Sequence, residues 1–254
     1  MRSIALTLAL GLTAAPLMLA QAPPAAPANS ERLDLVLGYW EQVMTRVQAL
    51  EAECKRSTVS KRYGNIDQYE GTARFLKSPT PGQPSRASLE MRKKDNPAVI
   101  EKLVLTGSAL YEYAPSTKEV RVHDLPTPKA GENLDHNLMA LLFGMKVEEA
   151  KKRYEITLKG EDANYFYLEI IPRLDRDRAD FAKARLSLVR TTYLPAQLWF
   201  QQANQDEVQW DLPRVNKNAN HLRPADFDRP NPPPGWKLTR VPTPAPAKIR
   251  SAGN

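Results

Sequence analysis

The stretch that decides the fold is residues 106–120, which read TGSALYEYAPSTKEV. Residues 106–108 form a Gly-containing turn, and residues 109–113 then alternate small or apolar with large side chains. A second turn, Ala-Pro-Ser at residues 114–116, leads into residues 118–123, where the alternation resumes. Short alternating runs separated by Gly and Pro turns are typical of antiparallel hairpins. The segment therefore predicts consecutive strands of a meandering sheet.

The same pattern extends from this segment in both directions along the chain. Upstream, strands are predicted at 71–77, 87–91 and 101–105, with a Pro and Gly turn cluster at 78–82. Downstream, strands are predicted at 154–158, 164–171, 184–189, 196–201 and 207–212. Spacings of about ten residues suit a sheet of many short strands. The charged run 173–180 is interpreted as a solvated loop, because it alternates sign without apolar neighbours.

Two helical regions interrupt the strands. Asn29 or Ser30 can cap a first helix, whose apolar residues recur at three- and four-residue steps from Leu33 to Leu50. This interpretation places Cys54 at the end of that helix, as a buried small side chain. A second and unusually apolar helix is predicted from Leu134 to Phe143, followed by helical spacing over 147–154. The apolar helix is either buried against the sheet or a movable cover over something apolar.

Both ends of the chain fall outside the predicted domain. Residues 1–22 have the basic start, apolar run and small residues of a secretory signal, with cleavage expected within 20–26. An uncleaved anchor helix is the alternative, although the apolar run is near the lower limit for spanning a bilayer. Residues 23–30 form a Pro/Ala linker, 31–241 the folded domain, and 242–254 a Pro-rich tail expected to be disordered. We therefore expect an exported protein of the periplasm or cell envelope.

The order of these elements resembles the outer-membrane lipoprotein carrier family, whose fold is called LolA-like. Residues 69–79, YEGTARFLKSP, are similar to the family's strand that ends in a basic residue and a proline turn. Residues 106–120 resemble its most recognisable hairpin, and residues 227–236, FDRPNPPPGW, resemble its closing segment. The resemblance implies an α+β fold: a strongly curved antiparallel sheet, an incomplete β-barrel, with helices covering a concave apolar face that receives acyl chains.

Several kinds of chemistry have little support in the composition. The single cysteine excludes an internal disulfide, and the three histidines, His123, His136 and His221, form no metal-ligand spacing. No P-loop, dinucleotide or nucleophile-elbow motif occurs, so we expect no cofactor, no metal and no catalytic residue. The net charge of +7 comes from scattered residues. It indicates a solvated surface with weak attraction to anionic lipid rather than to nucleic acid.

The leading functional hypothesis is a carrier or chaperone that binds a lipid, a lipoprotein acyl chain or another amphiphile in the half-barrel. A membrane-anchored envelope protein is a possible further partner. The alternative is a structural or sensor module with a packed interior and no ligand. The predicted cavity lining consists of Leu89, Met91, Leu103, Leu105, Tyr111, Tyr113, Leu138, Leu142, Phe166, Leu168, Leu198, Phe200 and Trp210.

Overall fold

The computed structural model describes residues 29–80, 83–125 and 146–241. Within them twelve strands form one sheet in the order β12-β6-β5-β4-β3-β2-β1-β11-β10-β9-β8-β7. The first six strands are β1 (Ala49–Val59), β2 (Ile66–Leu76), β3 (Arg86–Lys93), β4 (Ile100–Leu105), β5 (Ala109–Ala114) and β6 (Glu119–Asp124). The other six are β7 (Tyr154–Glu161), β8 (Tyr165–Pro172), β9 (Lys183–Val189), β10 (Pro195–Gln201), β11 (Glu207–Asn216) and β12 (Lys237–Val241). The described helices are α1 (Asn29–Arg46), α2 (Val147–Arg153), α3 (Asp175–Arg178) and a 3-10 turn at Pro224–Phe227.

The sheet is open and almost entirely antiparallel. Its neighbouring strands pair antiparallel, except that β12 runs parallel to β6 at one edge. The hairpins predicted around residues 106–120 are confirmed, because β4, β5 and β6 pair in turn. The predicted fold class, a curved antiparallel sheet with helices on its concave face, is confirmed as well.

One face of the sheet is covered by α1, and we call it the inner face. Val36, Leu37, Trp40 and Met44 of α1 are buried in the same apolar cluster as Leu186 of β9. These helix positions recur every three or four residues, so they form one stripe that seats on the sheet. The opposite, outer face is mostly polar near the middle of the sheet.

The inner face is concave. Arg56 on β1 and Glu101 on β4 form an ion pair across β2 and β3, with 2.7 Å between Nη1 and Oε2. In a flat sheet their backbones would be separated by three strand spacings, about 14 Å. The meeting of these side chains above two intervening strands agrees with a sheet that curls inward here.

Gly71 allows this curvature. Gly71 on β2 pairs with Met91 on the neighbouring strand β3. A Cβ placed on Gly71 would lie 2.8 Å from both the Glu90 carbonyl carbon and the Met91 Cα. Real Cβ atoms do not approach backbone that closely, so no larger residue fits here without separating the two strands.

The sequence interpretation made the first helix too long. The observed helix α1 ends at Arg46, and residues 49–59 form β1, so Leu50 and Cys54 belong to a strand. β1 lies at the centre of the sheet and pairs with both β2 and β11. Ladder hydrogen bonds on both sides, together with the alternating burial of Leu50, Ala52 and Cys54, override a local composition that favours helix.

The charged run at 173–180 is not a fully solvated loop, which corrects the sequence interpretation. It contains α3, and the Asp177 carboxylate is buried against the Arg153 guanidinium, with 2.7 Å between Oδ1 and Nη2. The partner is supplied by α2, from a distant part of the sequence. Nearby Phe181 is fully buried and stacks on Tyr154.

The C-terminal segment, residues 217–241, crosses the outer face of the sheet. Phe227 is fully buried in a small cluster with Ala49 and Leu222. Trp236 then packs on Tyr113, with 5.9 Å between ring centroids, before the chain adds β12 beside β6. Trp236 thereby docks the C-terminal segment on the sheet.

Candidate functional site

The cross-strand register determines which predicted lining residues share the inner face. Residues directly opposite each other on neighbouring strands project from the same face. Leu103 pairs with Leu89, which packs against the core cluster of α1, so Leu103 and Leu105 project from the inner face, and Leu110 joins them because it pairs with Leu105. Tyr111 pairs with Val104 and therefore projects from the outer face, as does Tyr113.

The predicted lining thus divides into four groups. The structure buries four residues completely on the inner face: Met91, Phe166, Leu168 and Leu198. Five more lie half-buried on that face: Leu89, Leu103, Leu105, Phe200 and Trp210. Tyr111 and Tyr113 are not brought together with them, because these tyrosines pack on the outer face with Val120 and Trp236. Leu138 and Leu142, with the whole predicted helix 134–143, lie outside the described residues.

The two halves of the inner face differ in how they are filled. Phe166, Leu168 and Leu198, on β8 and β10, are packed under α1 and form permanent core. On β4 and β5, in contrast, Leu103, Leu105 and Leu110 are only half-buried. The apolar surface that could accept a ligand is therefore the inner face of β3, β4 and β5. Leu110 was missed by the sequence interpretation, although it alternates with Tyr111 in the hairpin.

A charged and aromatic group interrupts this apolar surface near the end of β1. The Arg56 guanidinium carbon lies 4.3 Å from the Tyr69 ring centroid and 5.4 Å from that of Trp210. Glu101 accepts hydrogen bonds from it, and the Arg56 side chain is 16% exposed whereas that of Glu101 is 41% exposed. Burial, together with the charge of Glu101, raises the pKa of Tyr69. The sequence interpretation missed this group because it did not place Arg56 on a strand.

A cavity of about 550 Å³ lies on the outer face, not on the inner one. Strands β2 to β4 contribute mostly polar and charged side chains, including Glu70, Thr72, Arg74, Ser88, Glu90, Arg92 and Lys102. The C-terminal segment contributes Asp226, Asp228 and Pro230. Burial opposes ionisation of Glu90, but Lys102 and Arg92 outweigh it and lower the pKa of Glu90. Such a lining suits water and polar groups and would not accept an acyl chain.

The described histidines and the cysteine form no catalytic group. His123 lies beside Glu112 and is half-buried on the inner face opposite Leu110, His221 lies beside Glu51 at the surface, and His136 lies outside the described residues. Cys54 is buried, and burial raises the pKa of its thiol to about 11. In the described parts of the chain, no three His, Cys, Asp or Glu side chains are grouped as metal ligands.

The open curved sheet, with a helix against its concave face, is an incomplete β-barrel. Similar solved structures include a conserved protein of Thermus thermophilus, 11% identical, with a TM-score of 0.49, covering 83% of this chain and 99% of that chain. A DUF1329 family protein from Desulfovibrio piger is 12% identical, with a TM-score of 0.42, and covers 77% of this chain and 96% of its own. A LolA superfamily protein from Nitrosomonas europaea is 10% identical, with a TM-score of 0.36. The match covers 77% of this chain and 97% of that chain.

These likenesses concern the fold alone. No family model matches the chain, and no curated protein matches its sequence. The predicted resemblance to LolA-like proteins is confirmed at this level. No helix within residues 29–80, 83–125 and 146–241 has both the length and the apolar character needed to cross a membrane.

Proposed function

We propose that this protein is an exported, non-catalytic envelope protein that binds an acyl chain or another amphiphile on the inner face of β3 to β5. The observation that supports this function is the half-buried state of Leu103, Leu105 and Leu110 on the concave side of the sheet. On the other side of the sheet the same face is packed under α1 at Phe166, Leu168 and Leu198, and for this reason we place the ligand surface on β3 to β5.

An acyl chain suits this surface better than a polar ligand does. Each methylene moved from water onto apolar protein surface contributes about 0.8 kcal/mol, and no directed hydrogen bonds are needed. The ion pair between Arg56 and Glu101 marks one boundary of the apolar surface.

The ligand is a lipid or a lipoprotein acyl chain, and a membrane-anchored envelope protein is the partner that delivers or receives it. Nucleic acid is not a partner, because the basic residues are spread among acids with which many of them pair. The signal at residues 1–22 supports export to the periplasm. The burial of Cys54 and the surface position of His221 support a protein without catalysis.

A second candidate is an envelope interaction module that holds no ligand. The complete burial of Phe166, Leu168 and Leu198 favours it, because this part of the interior is as filled as an ordinary core. In that case the leucines of β4 and β5 are simply the edge of the core.

Native mass spectrometry of the protein purified from its own envelope distinguishes the two. Co-purified lipid supports the carrier, and a ligand-free mass supports the module. Binding of a fluorescent fatty acid then locates the site. The variant Leu103→Gln/Leu105→Gln should weaken binding about tenfold, since two apolar contacts are replaced by polar groups.

The matched control is Leu238→Gln, which changes an exposed leucine of β12. It should leave the affinity for the fatty acid within a factor of two of wild type. Equal affinity in the double variant and the control, with both proteins folded by circular dichroism, would rule out the inner face of β4 as the site.

A further inference from the structure

The turn between β1 and β2 exposes two large apolar side chains. Tyr63 is 74% exposed and Ile66 is 59% exposed, the highest values for large apolar residues in the described parts of the chain. Single exposed apolar residues are common on soluble proteins and need no explanation. Here two of them share a seven-residue tip, residues 60–66, which also carries Lys61 and Arg62.

The tip has a defined backbone, so Tyr63 is held away from the body of the protein. Gly64 donates its N–H to the Ser60 carbonyl at 2.8 Å and takes a positive φ of 68° that favours glycine. Ser60 donates in turn to the Asn65 carbonyl at 3.0 Å. The tip is also tied to the β10–β11 turn, because the Lys61 N–H donates to Asp206 Oδ1 at 2.8 Å. A fixed turn loses little conformational entropy when its side chains become buried.

The tip carries two cations, Lys61 and Arg62, and the acids Asp206 and Glu207 lie beside it. Lys61 is neutralised by Glu207, with 2.8 Å between Nζ and Oε1. Arg62 forms no ion pair with an acidic residue in the described parts of the chain. Its guanidinium carbon instead lies 5.3 Å from the Tyr63 ring centroid. A ring and an unpaired guanidinium side by side suit the boundary between acyl chains and lipid phosphates.

The tip lies at the end of the sheet where β1 finishes and β2 begins. By register, the group formed by Arg56, Tyr69 and Trp210 lies on the inner face at this same end. Contact with a membrane through the tip would therefore bring the bilayer close to this end of the concave face.

We propose that the tip formed by residues 60–66 docks this protein on an anionic phospholipid bilayer. Tyr63 and Ile66 enter the interfacial region, and Arg62 contacts lipid phosphate. This surface is separate from the inner face, so the docking can be tested without assuming that the inner face binds an amphiphile.

The test is co-sedimentation of the full chain with two kinds of vesicle, phosphatidylcholine alone and an equal mixture of phosphatidylcholine and phosphatidylglycerol. Binding should be stronger to the mixture and should fall as salt is added. Tyr63→Ser/Ile66→Ser should lower the partition coefficient on the mixture about tenfold. Arg62→Gln should lower it about fivefold on the mixture and leave binding to phosphatidylcholine alone unchanged.

The control is Leu35→Ser, which removes a 49% exposed leucine from α1. Its binding should stay within a factor of two of wild type. A loss as large as that of the tip variant, or a tip variant that binds as well as wild type, would overturn the proposal. Binding of the fluorescent fatty acid should be unchanged in the tip variants, which separates this test from that of the inner face.

A second readout places the tip in the bilayer. Cys54 is buried, so a dye that reports polarity can be attached selectively at Tyr63→Cys. Its emission should shift to the blue on mixed vesicles, whereas the same dye at Leu35→Cys should not shift. No shift at position 63 would show that another surface, or a protein partner, accounts for any membrane association.

Discussion

Replacing Gly71 by alanine should destabilise the protein far more than a glycine substitution elsewhere in the sheet. The added Cβ would lie 2.8 Å from the Met91 Cα and 2.8 Å from the Glu90 carbonyl carbon. Carbon atoms in contact are normally about 3.5 to 4.0 Å apart, and the Glu90 carbonyl oxygen would lie closer still to the added Cβ, so β2 and β3 would have to separate by more than about 1 Å. Both neighbours are backbone atoms in a hydrogen-bonded ladder and cannot rotate away. Overpacking costs about 1 to 3 kcal/mol, and here we expect about 3 kcal/mol or more.

The matched control is Gly160→Ala in the edge strand β7. A Cβ on Gly160 would have nothing within 4 Å, so its effect should stay within about 0.5 kcal/mol. Urea unfolding followed by tryptophan fluorescence gives both values. Equal free energies of unfolding for the two variants would refute the argument that close approach at Gly71 sets the curvature. If Gly71→Ala folds, it should also bind the fluorescent fatty acid more weakly, because the inner face would flatten.

Three further predictions concern buried groups. The pKa of Cys54 is raised from 9.0 to about 11, so the unfolded thiol loses its proton first as the pH rises. Stability should therefore fall between pH 9 and 11, by about 3 kcal/mol, and Cys54→Ala should remove this loss from the pH dependence of urea unfolding. Asp177→Asn should cost about 3 to 5 kcal/mol in the same assay, because it leaves the buried Arg153 guanidinium without this carboxylate. A cost below about 1 kcal/mol would contradict the burial of the pair. Trp236→Ala removes the contact with Tyr113 and should expose β12 to limited proteolysis, whereas cleavage unchanged from wild type would mean that other contacts hold this strand.

The hairpins could be predicted from sequence, but the inward-facing side of each strand could not. Alternation shows that Tyr111 and Tyr113 share a face and that Leu103 and Leu105 share a face. Which of these faces points inward depends on the register across the turn at residues 106–108. The observed pairing of Leu105 with Leu110 turns both tyrosines outward. A register shift of one residue between β4 and β5 would have turned both tyrosines inward, and no local feature of the sequence determines this register.

The central strand β1 and the buried ion pair between Arg153 and Asp177 could not be predicted from the sequence for a different reason. Residues 48–55, QALEAECK, are mostly good helix formers without a Gly or Pro to stop a helix, yet β1 lies between two partners. Asp177 looks solvated in the sequence because its partner, Arg153, comes from another element. Both features depend on contacts between distant residues, which local propensity does not report.

The position of β1 has a consequence for the order in which the chain can fold. Strands β2 to β6 and strands β7 to β11 each pair with their neighbours in sequence, so each half can form from local contacts. Within the run of strands from β2 to β7, the halves join where β1 pairs with β11, which brings residues 49–59 against residues 207–216. Contacts between segments so far apart in sequence form slowly, because a long loop must close before they can contribute. One edge of β1 therefore stays unpaired until nearly the whole chain has been made, and during that interval the nascent protein is exposed to misassociation unless another molecule protects it.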